Sequence, residues 1–224
     1  MKNNKYDQMK IVCISDTHGF HNSLKLPEGD VIIHAGDVTQ SGRENQVIDF
    51  LNWYTQLDYE YKIFIAGNHD YFFEQENEEE INKRIPQNIT YLNDSGIDIN
   101  GIKIWGSPIQ PLFCNMAFNR RRGGEIKKHW DLIPNNTDVL VTHDPAYGVL
   151  DTTLQGQSVG CVELLQKVKT VQPQIHICGH IHEAYGERNL FGVDFVNASV
   201  VNFKYQVANT PIVFEVEKVT KSIL

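Results

Sequence analysis

Five apolar runs in this 224-residue chain end in side chains that could hold a metal ion or move a proton. The stretch KIFIAGNHD, residues 62–70, is the clearest: a short β-rich run reads as a buried strand, and a Gly then leads into Asn68, His69 and Asp70. KIVCIS is followed by Asp16 and His18, VIIHAG by Asp37, TDVLVT by His143, and QIHICG by His180 and His182. Side chains alternate in an extended segment, so Asp16 and His18 face the same way and could chelate one ion, as could His180 and His182. Each fragment alone also reads as a polar turn. Together they point to one site, because ligands in an α/β sheet gather outside the carboxyl ends of the strands.

The elements that must position these ends follow from periodicity. A helix is expected after Asp37, starting near Thr39 or Ser41, with Val47, Phe50, Leu51 and Tyr54 on its apolar face. Residues 71–86 read as one acidic helix ended by Pro86, and residues 158–171 as an amphipathic helix stopped by Pro173. A further short helix is expected around 126–132. From residue 89 the period changes to antiparallel strand, with Asn100-Gly101 as a two-residue hairpin turn. In the tail FVNASV, FKYQVA and PIVFEVE read as strands. His34 and His176 lie inside buried strands and read as core or supporting groups.

Composition bounds the function. At 41% hydrophobic content, residues 1–224 can bury the core of a single large α/β domain. A formal charge of −8 argues against a nucleic-acid polymer or an anionic membrane as partner, since both need a basic face. The four cysteines show no CxxC spacing and read as a reduced set, and the N-terminal ten residues lack the apolar region of a leader. A cytoplasmic protein is expected, with its oligomeric state open.

Taken in order, DTH, GD, GNHD, TH and GHIH resemble the calcineurin-like metallophosphoesterase superfamily, over residues 10 to about 200. KIWGSPIQP, AFNRRRG, TDVLVTH, GHIHEAYG and NASV are similar to the small brain-type metallophosphoesterase-domain proteins and their bacterial relatives. The resemblance implies an α/β (α+β) fold, a four-layer sandwich of two mixed β-sheets flanked by helices, with a dimetal site at the strand C-terminal ends. It places Asp16, His18 and His182 on one metal and Asn68, His143 and His180 on the other, with Asp37 bridging. A bridging carboxylate holds two ions roughly 3.5–4 Å apart, close enough for both to grip one phosphoryl group. Imidazole and carboxylate ligands favour Mn, Fe, Zn, Co or Ni over Ca and Mg, with manganese first on the resemblance alone.

The expected function is hydrolysis of small phosphate esters by in-line attack of a metal-activated hydroxide, with phosphodiesters such as cyclic nucleotides foremost. Asp144 supports that preference, because a carboxylate after His143, where relatives commonly have Gly, disfavours a dianionic monoester. His69, beside the ligand Asn68 but not needed as one, is the expected general acid, as the resemblance also implies. Asp70 either orients it or caps the next helix. Residues 108–124 read as a substrate-selecting lid in which Phe113 and Phe118 stack while Asn119 and Arg120 join Asn68 and His69 in binding substrate, or else as a solvated basic loop. The rival functions are a metal-binding, catalytically weak scaffold and a metal-free binding module.

Overall fold

The structure, a computed structural model, describes residues 8–218. The N-terminal residues read for a leader lie, as far as Asp7, outside the described residues. In chain order the elements are β1 (Gln8–Ile14), β2 (Val31–Ala35), α1 (Glu44–Thr55), β3 (Tyr61–Ile65), α2 (Tyr71–Gln75), α3 (Glu78–Arg84), β4 (Thr90–Tyr91), β5 (Ser95–Ile99), β6 (Ile102–Ser107), β7 (Gln110–Pro111), β8 (Asn119–Arg120), α4 (Gly124–Asp131), β9 (Val139–Thr142), α5 (Val162–Val171), β10 (Ile175–Cys178), β11 (Gly186–Leu190), β12 (Val193–Asn197) and β13 (Ile212–Glu217).

Two large mixed sheets form the centre, with strand orders β13-β1-β2-β3-β4 and β11-β12-β10-β9-β6-β5. β1 to β4 run parallel with β13 antiparallel at the edge. In the second sheet β6, β9, β10 and β12 are parallel, and β5 and β11 close its edges antiparallel. The central strands are continuous apolar runs because both of their faces are covered. Ile11, Cys13, Ile33 and Ile65 of one sheet meet Ile104, Val139, Val141 and Ile177 of the other. Their alternate neighbours, Val12, Ile14, Ile32 and Phe64, face away toward the helical layer, where Phe50 of α1 packs 5.4 Å from Phe64. Trp130 of α4, Leu164 and Val168 of α5 cover Leu140 and Phe195 on the far side.

Local chemistry moved several boundaries. The acidic helix is two helices, because Asn77 accepts from the Glu80 amide at 3.0 Å and starts a new helix there. α1 starts only at Glu44, since the Thr39 hydroxyl is engaged by Asp70 at 2.7 Å and Ser41 bonds the Gln46 side chain. α5 starts at Val162, because Cys161 is bridged to Ala146. The hairpin turn stands as expected, with both Asn100 and Gly101 in the left-handed region (φ 54° and 89°). FKYQVA is not a strand. Residues 202–206 form a turn closed by the Val201–Val207 bridge, because the Asn202 side chain accepts from the Lys204 and Gln206 amides.

Tyr54 ties α1 to the ligand-bearing sheet, its buried hydroxyl lying 3.0 Å from the Ile32 carbonyl and 2.7 Å from that of Ile63. Tyr54→Phe removes that donor with little change of volume. It should cost about 1–2 kcal/mol of stability, read as a lower urea midpoint at unchanged slope.

Candidate metal centre

The parallel strands β1, β2 and β3 deliver Asp16, His18, Asp37, Asn68 and His69 from one sheet, while β9 and β10 deliver His143, His180 and His182 from the other. Asp16, His18 and His182 offer ligand atoms within 4.8 Å of one another, as do Asp16, Asp37 and His143. His18, Asp37 and His69 form a third such group. Asn68 Oδ1 lies 2.9 Å from His143 Nε2, and the His143 and His180 rings are 5.1 Å apart. Asp37 is the common point: its Oδ2 is 3.4 Å from His143 Nε2, 3.7 Å from His18 Nε2 and 4.0 Å from His69 Nε2.

The alternation expected at DTH and GHIH is not how these residues meet. Asp16, His18, Asp37 and His180 all have positive φ (56°, 43°, 56° and 66°), so the chain turns sharply where an extended strand was expected. Such conformations cost roughly 1–3 kcal/mol each and persist only where the surroundings impose them. As a result His180 stands beside His143, whereas His182 Nε2 reaches Asp16 Oδ1 at 3.4 Å. The two histidines of GHIH serve different positions.

Supporting bonds orient the candidate ligands. His143 Nδ1 bonds the Ala35 carbonyl at 2.9 Å, His182 Nδ1 that of Asn202 at 3.2 Å, and His69 Nδ1 that of Gln40 at 2.8 Å, so each presents Nε2 to the site. Both Asp16 oxygens accept from the His180 amide. Asn197 donates to the carbonyls of Gly179 and Ile181, on either side of His180. His34 and His176 play matching parts: burial lowers both to about 3, and the Nε2 of each holds a hydroxyl, Thr17 at 2.9 Å and Thr142 at 2.8 Å.

Electrostatics and space fit two divalent cations. Burial would raise Asp16 and Asp37, but His182 and His143 respectively hold them below the usual carboxylate range. Burial likewise resists charge on His143, yet Asp37 carries it up to about 10; His18 and His180 are lowered to about 4 by burial. Two buried carboxylates ringed by imidazole nitrogens and an amide oxygen form a donor set suited to transition-metal cations. The motif glycines clear the space. A Cβ on Gly67 would lie 2.4 Å from Asp37 Oδ1, and one on Gly179 2.2 Å from Asp16 Oδ2.

Several expectations are corrected. Asp70 does not touch the His69 ring, and although it stands at the N-cap position of α2 its side chain makes no cap bond: its buried carboxylate accepts from the amides of Val38, Thr39 and Gly67 and from the Thr39 hydroxyl, clasping two candidate ligand loops together. Of the expected lid residues, Phe118 is packed in the core, since its left-handed turn (φ 59°) directs the ring inward. Asn119 bonds the Phe113 carbonyl at 2.7 Å, and Arg120 pairs with Glu74 at 3.3 Å. None of these three lines the cleft. Phe113 and Arg122 do, with Arg122 fixed by the Val159 and Gly160 carbonyls. Asp144 also lines it, but burial pushes this group up to about 8, which removes much of the negative charge expected to disfavour monoesters. Phe203, Tyr205 and Tyr147, to which the sequence reading gave no functional role, complete the walls of a cleft of about 860 Å³ that opens from the metal centre.

The calcineurin-like phosphoesterase family profile matches residues 9–184. The chain belongs to that family. It is 42% identical over 229 residues to human "Metallophosphoesterase domain-containing protein 1", covering 92% of this chain and 70% of the relative. It is 37% identical to "UPF0046 protein K07C11.7" of Caenorhabditis elegans over 226 residues, covering 96% of this chain and 77% of that one. The crystal structure of TT1561 of Thermus thermophilus shares the fold at 13% identity, with a TM-score of 0.53 over 84% of this chain and 88% of that chain. Family membership supports metal-dependent hydrolysis of phosphate esters. Among the described residues no helix is long and apolar enough to cross a membrane.

Gly67→Ala tests the steric account. The methyl group should displace Asp37 and weaken metal binding by about 10- to 100-fold, measured by manganese titration and by elemental analysis after dialysis. Unchanged affinity and stoichiometry would show that Asp37 does not need the space beside Gly67.

Proposed function

We propose that this chain is a phosphodiesterase acting on small diesters, cyclic nucleotides among the candidates, at a centre of two divalent ions. Asp16, His18 and His182 would hold one ion, Asn68, His143 and His180 the other, with Asp37 shared between them. Bound there, the ions would draw electron density from a phosphoryl group and activate water for attack; manganese is the first choice, with Fe, Zn, Co or Ni also compatible with the donor set. The four free cysteines, three of them buried, support a cytoplasmic setting.

The placement of His69 carries the hydrolytic part of this reading, and the aromatic walls of the cleft support the diester part. Its backbone amide donates to Asp37 Oδ1 at 2.8 Å and its Nδ1 is fixed by Gln40, so the ring is held at the rim of the centre with Nε2 free of any carbonyl. Its side chain is 22% exposed and lines the cleft. In the reaction a bond forms between water oxygen and phosphorus, the bond from phosphorus to the leaving oxygen breaks, and His69 gives its proton to that oxygen. Asn68 and His69 border the substrate from the same loop, and Asn68 is steadied by a 3.2 Å contact from its amide to Met116 Sδ.

His69→Asn should retain both ions yet lose about 10²- to 10⁴-fold in turnover of alkyl diesters. The loss should be much smaller for p-nitrophenyl esters, whose leaving group needs no proton. An equal loss for both classes of leaving group would exclude His69 as the proton donor.

A further inference from the structure

Two aromatic side chains stand on opposite sides of the metal centre. Phe113 is 60% exposed and meets His180 edge-on at 6.4 Å. Tyr205, 43% exposed, lies 4.9 Å from the His18 ring, 5.2 Å from His182 and 6.4 Å from His69. Both line the cleft. Leaving large rings half in water is unfavourable, and a ligand that covers them recovers that cost.

Both positions are built. The Phe113 carbonyl accepts from the Asn119 side chain at 2.7 Å and from the Met116 amide at 3.3 Å, and the turn is sharpened by left-handed Cys114 and Asn115 (φ 49° each). Tyr205 is itself left-handed (φ 56°), and its amide donates at 2.8 Å to the Asn202 carbonyl that also receives His182 Nδ1. Tyr205 is therefore placed by the same backbone atom that orients a candidate metal ligand.

A tetrahedral phosphodiester sends its two ester arms in different directions while its other two oxygens are free to meet cations. We infer that Tyr205 contacts the arm that leaves and Phe113 the arm that stays on phosphorus, so that among diesters an open one with an apolar or flat group on each side is preferred over a cyclic nucleotide, whose two ester oxygens share one sugar. The assignment of sides rests on the phosphodiesterase reading and on His69, which lies beside Tyr205 and protonates the leaving oxygen. The position of Phe113 beside His180 puts it on the opposite side of the centre.

Two p-nitrophenyl diesters separate the arms, one carrying phenyl and one methyl as the retained group, both losing p-nitrophenolate. The parent protein should favour phenyl in kcat/KM by about 3- to 10-fold, the worth of one aromatic contact. Phe113→Ala should bring that ratio close to one. Tyr205→Ala should lower both diesters by a common factor and keep the ratio. Diphenyl phosphate binding by calorimetry gives a readout without turnover: each substitution should weaken it by about 3- to 10-fold, and the double variant by their product, as independent contacts do. A phenyl preference absent from the parent or intact in Phe113→Ala, its collapse in Tyr205→Ala, or a double variant no weaker than one single, would overturn the two-arm assignment alone. No metal-dependent turnover of either diester would instead remove the phosphodiesterase reading, and this inference with it.

Discussion

The structure depends on keeping two carboxylates, Asp16 and Asp37, buried at the meeting of the two sheets. Removing a carboxylate from water is costly unless charge and hydrogen bonds replace the lost hydration. Here the replacement comes from both sheets. Asp16 accepts from the amide of His180, which follows β10, while Asp37 accepts from the amide of His69, which follows β3, and faces His143, which follows β9. The charges can be held only when the sheets are packed together, and cations at their meeting point would complete the compensation.

The same dependence explains the backbone. Four of the candidate ligands occupy left-handed conformations, which cost free energy for any residue with a Cβ. A hydrogen bond across the interface joins two of them, the His180 amide donating to Asp16, and beside them the Ala35 carbonyl of one sheet receives His143 of the other and Ser15 pairs with Ser199 at the point where β1 ends. Buried His34 and His176 brace the Thr of a ligand loop in each sheet, which gives the two halves of the centre matching supports.

Around this charged floor the cleft walls are apolar. Leu112, Phe113, Tyr147, Phe203 and Tyr205 account for much of the large exposed apolar surface of the described residues, and they border one opening. A site that grips phosphate below and presents aromatic rings above is suited to an ester whose organic groups are flat or greasy. Family membership supports metal-dependent hydrolysis of phosphate esters, and the walls are where substrates would be told apart.

The sequence by itself determined the strand ends, their order and the residue types able to bind metal, because each ligand follows directly on a buried strand whose hydrophobicity is local and periodic. Asp16, His18, Asp37, Asn68, His143, His180 and His182 were legible as candidates in this way and the Asn100-Gly101 turn from its residue types, whereas the two-sheet class came with the family resemblance of the motifs. Tertiary structure decided how they meet. The alternation rule would have placed His180 and His182 on one side; left-handed turns separate them, and those turns are stabilised by partners more than 100 residues away, as with His180 and Asp16. Asp70 gave no sign of its role, since an acidic residue before a helix reads as a cap until Val38 and Thr39 are brought to it. Phe118 and Phe113 differ little as sequence, yet one is buried and the other faces the cleft, because side-chain direction in an aperiodic segment follows from backbone turns fixed by contacts such as the Ala117 amide to the Asn68 carbonyl at 3.2 Å.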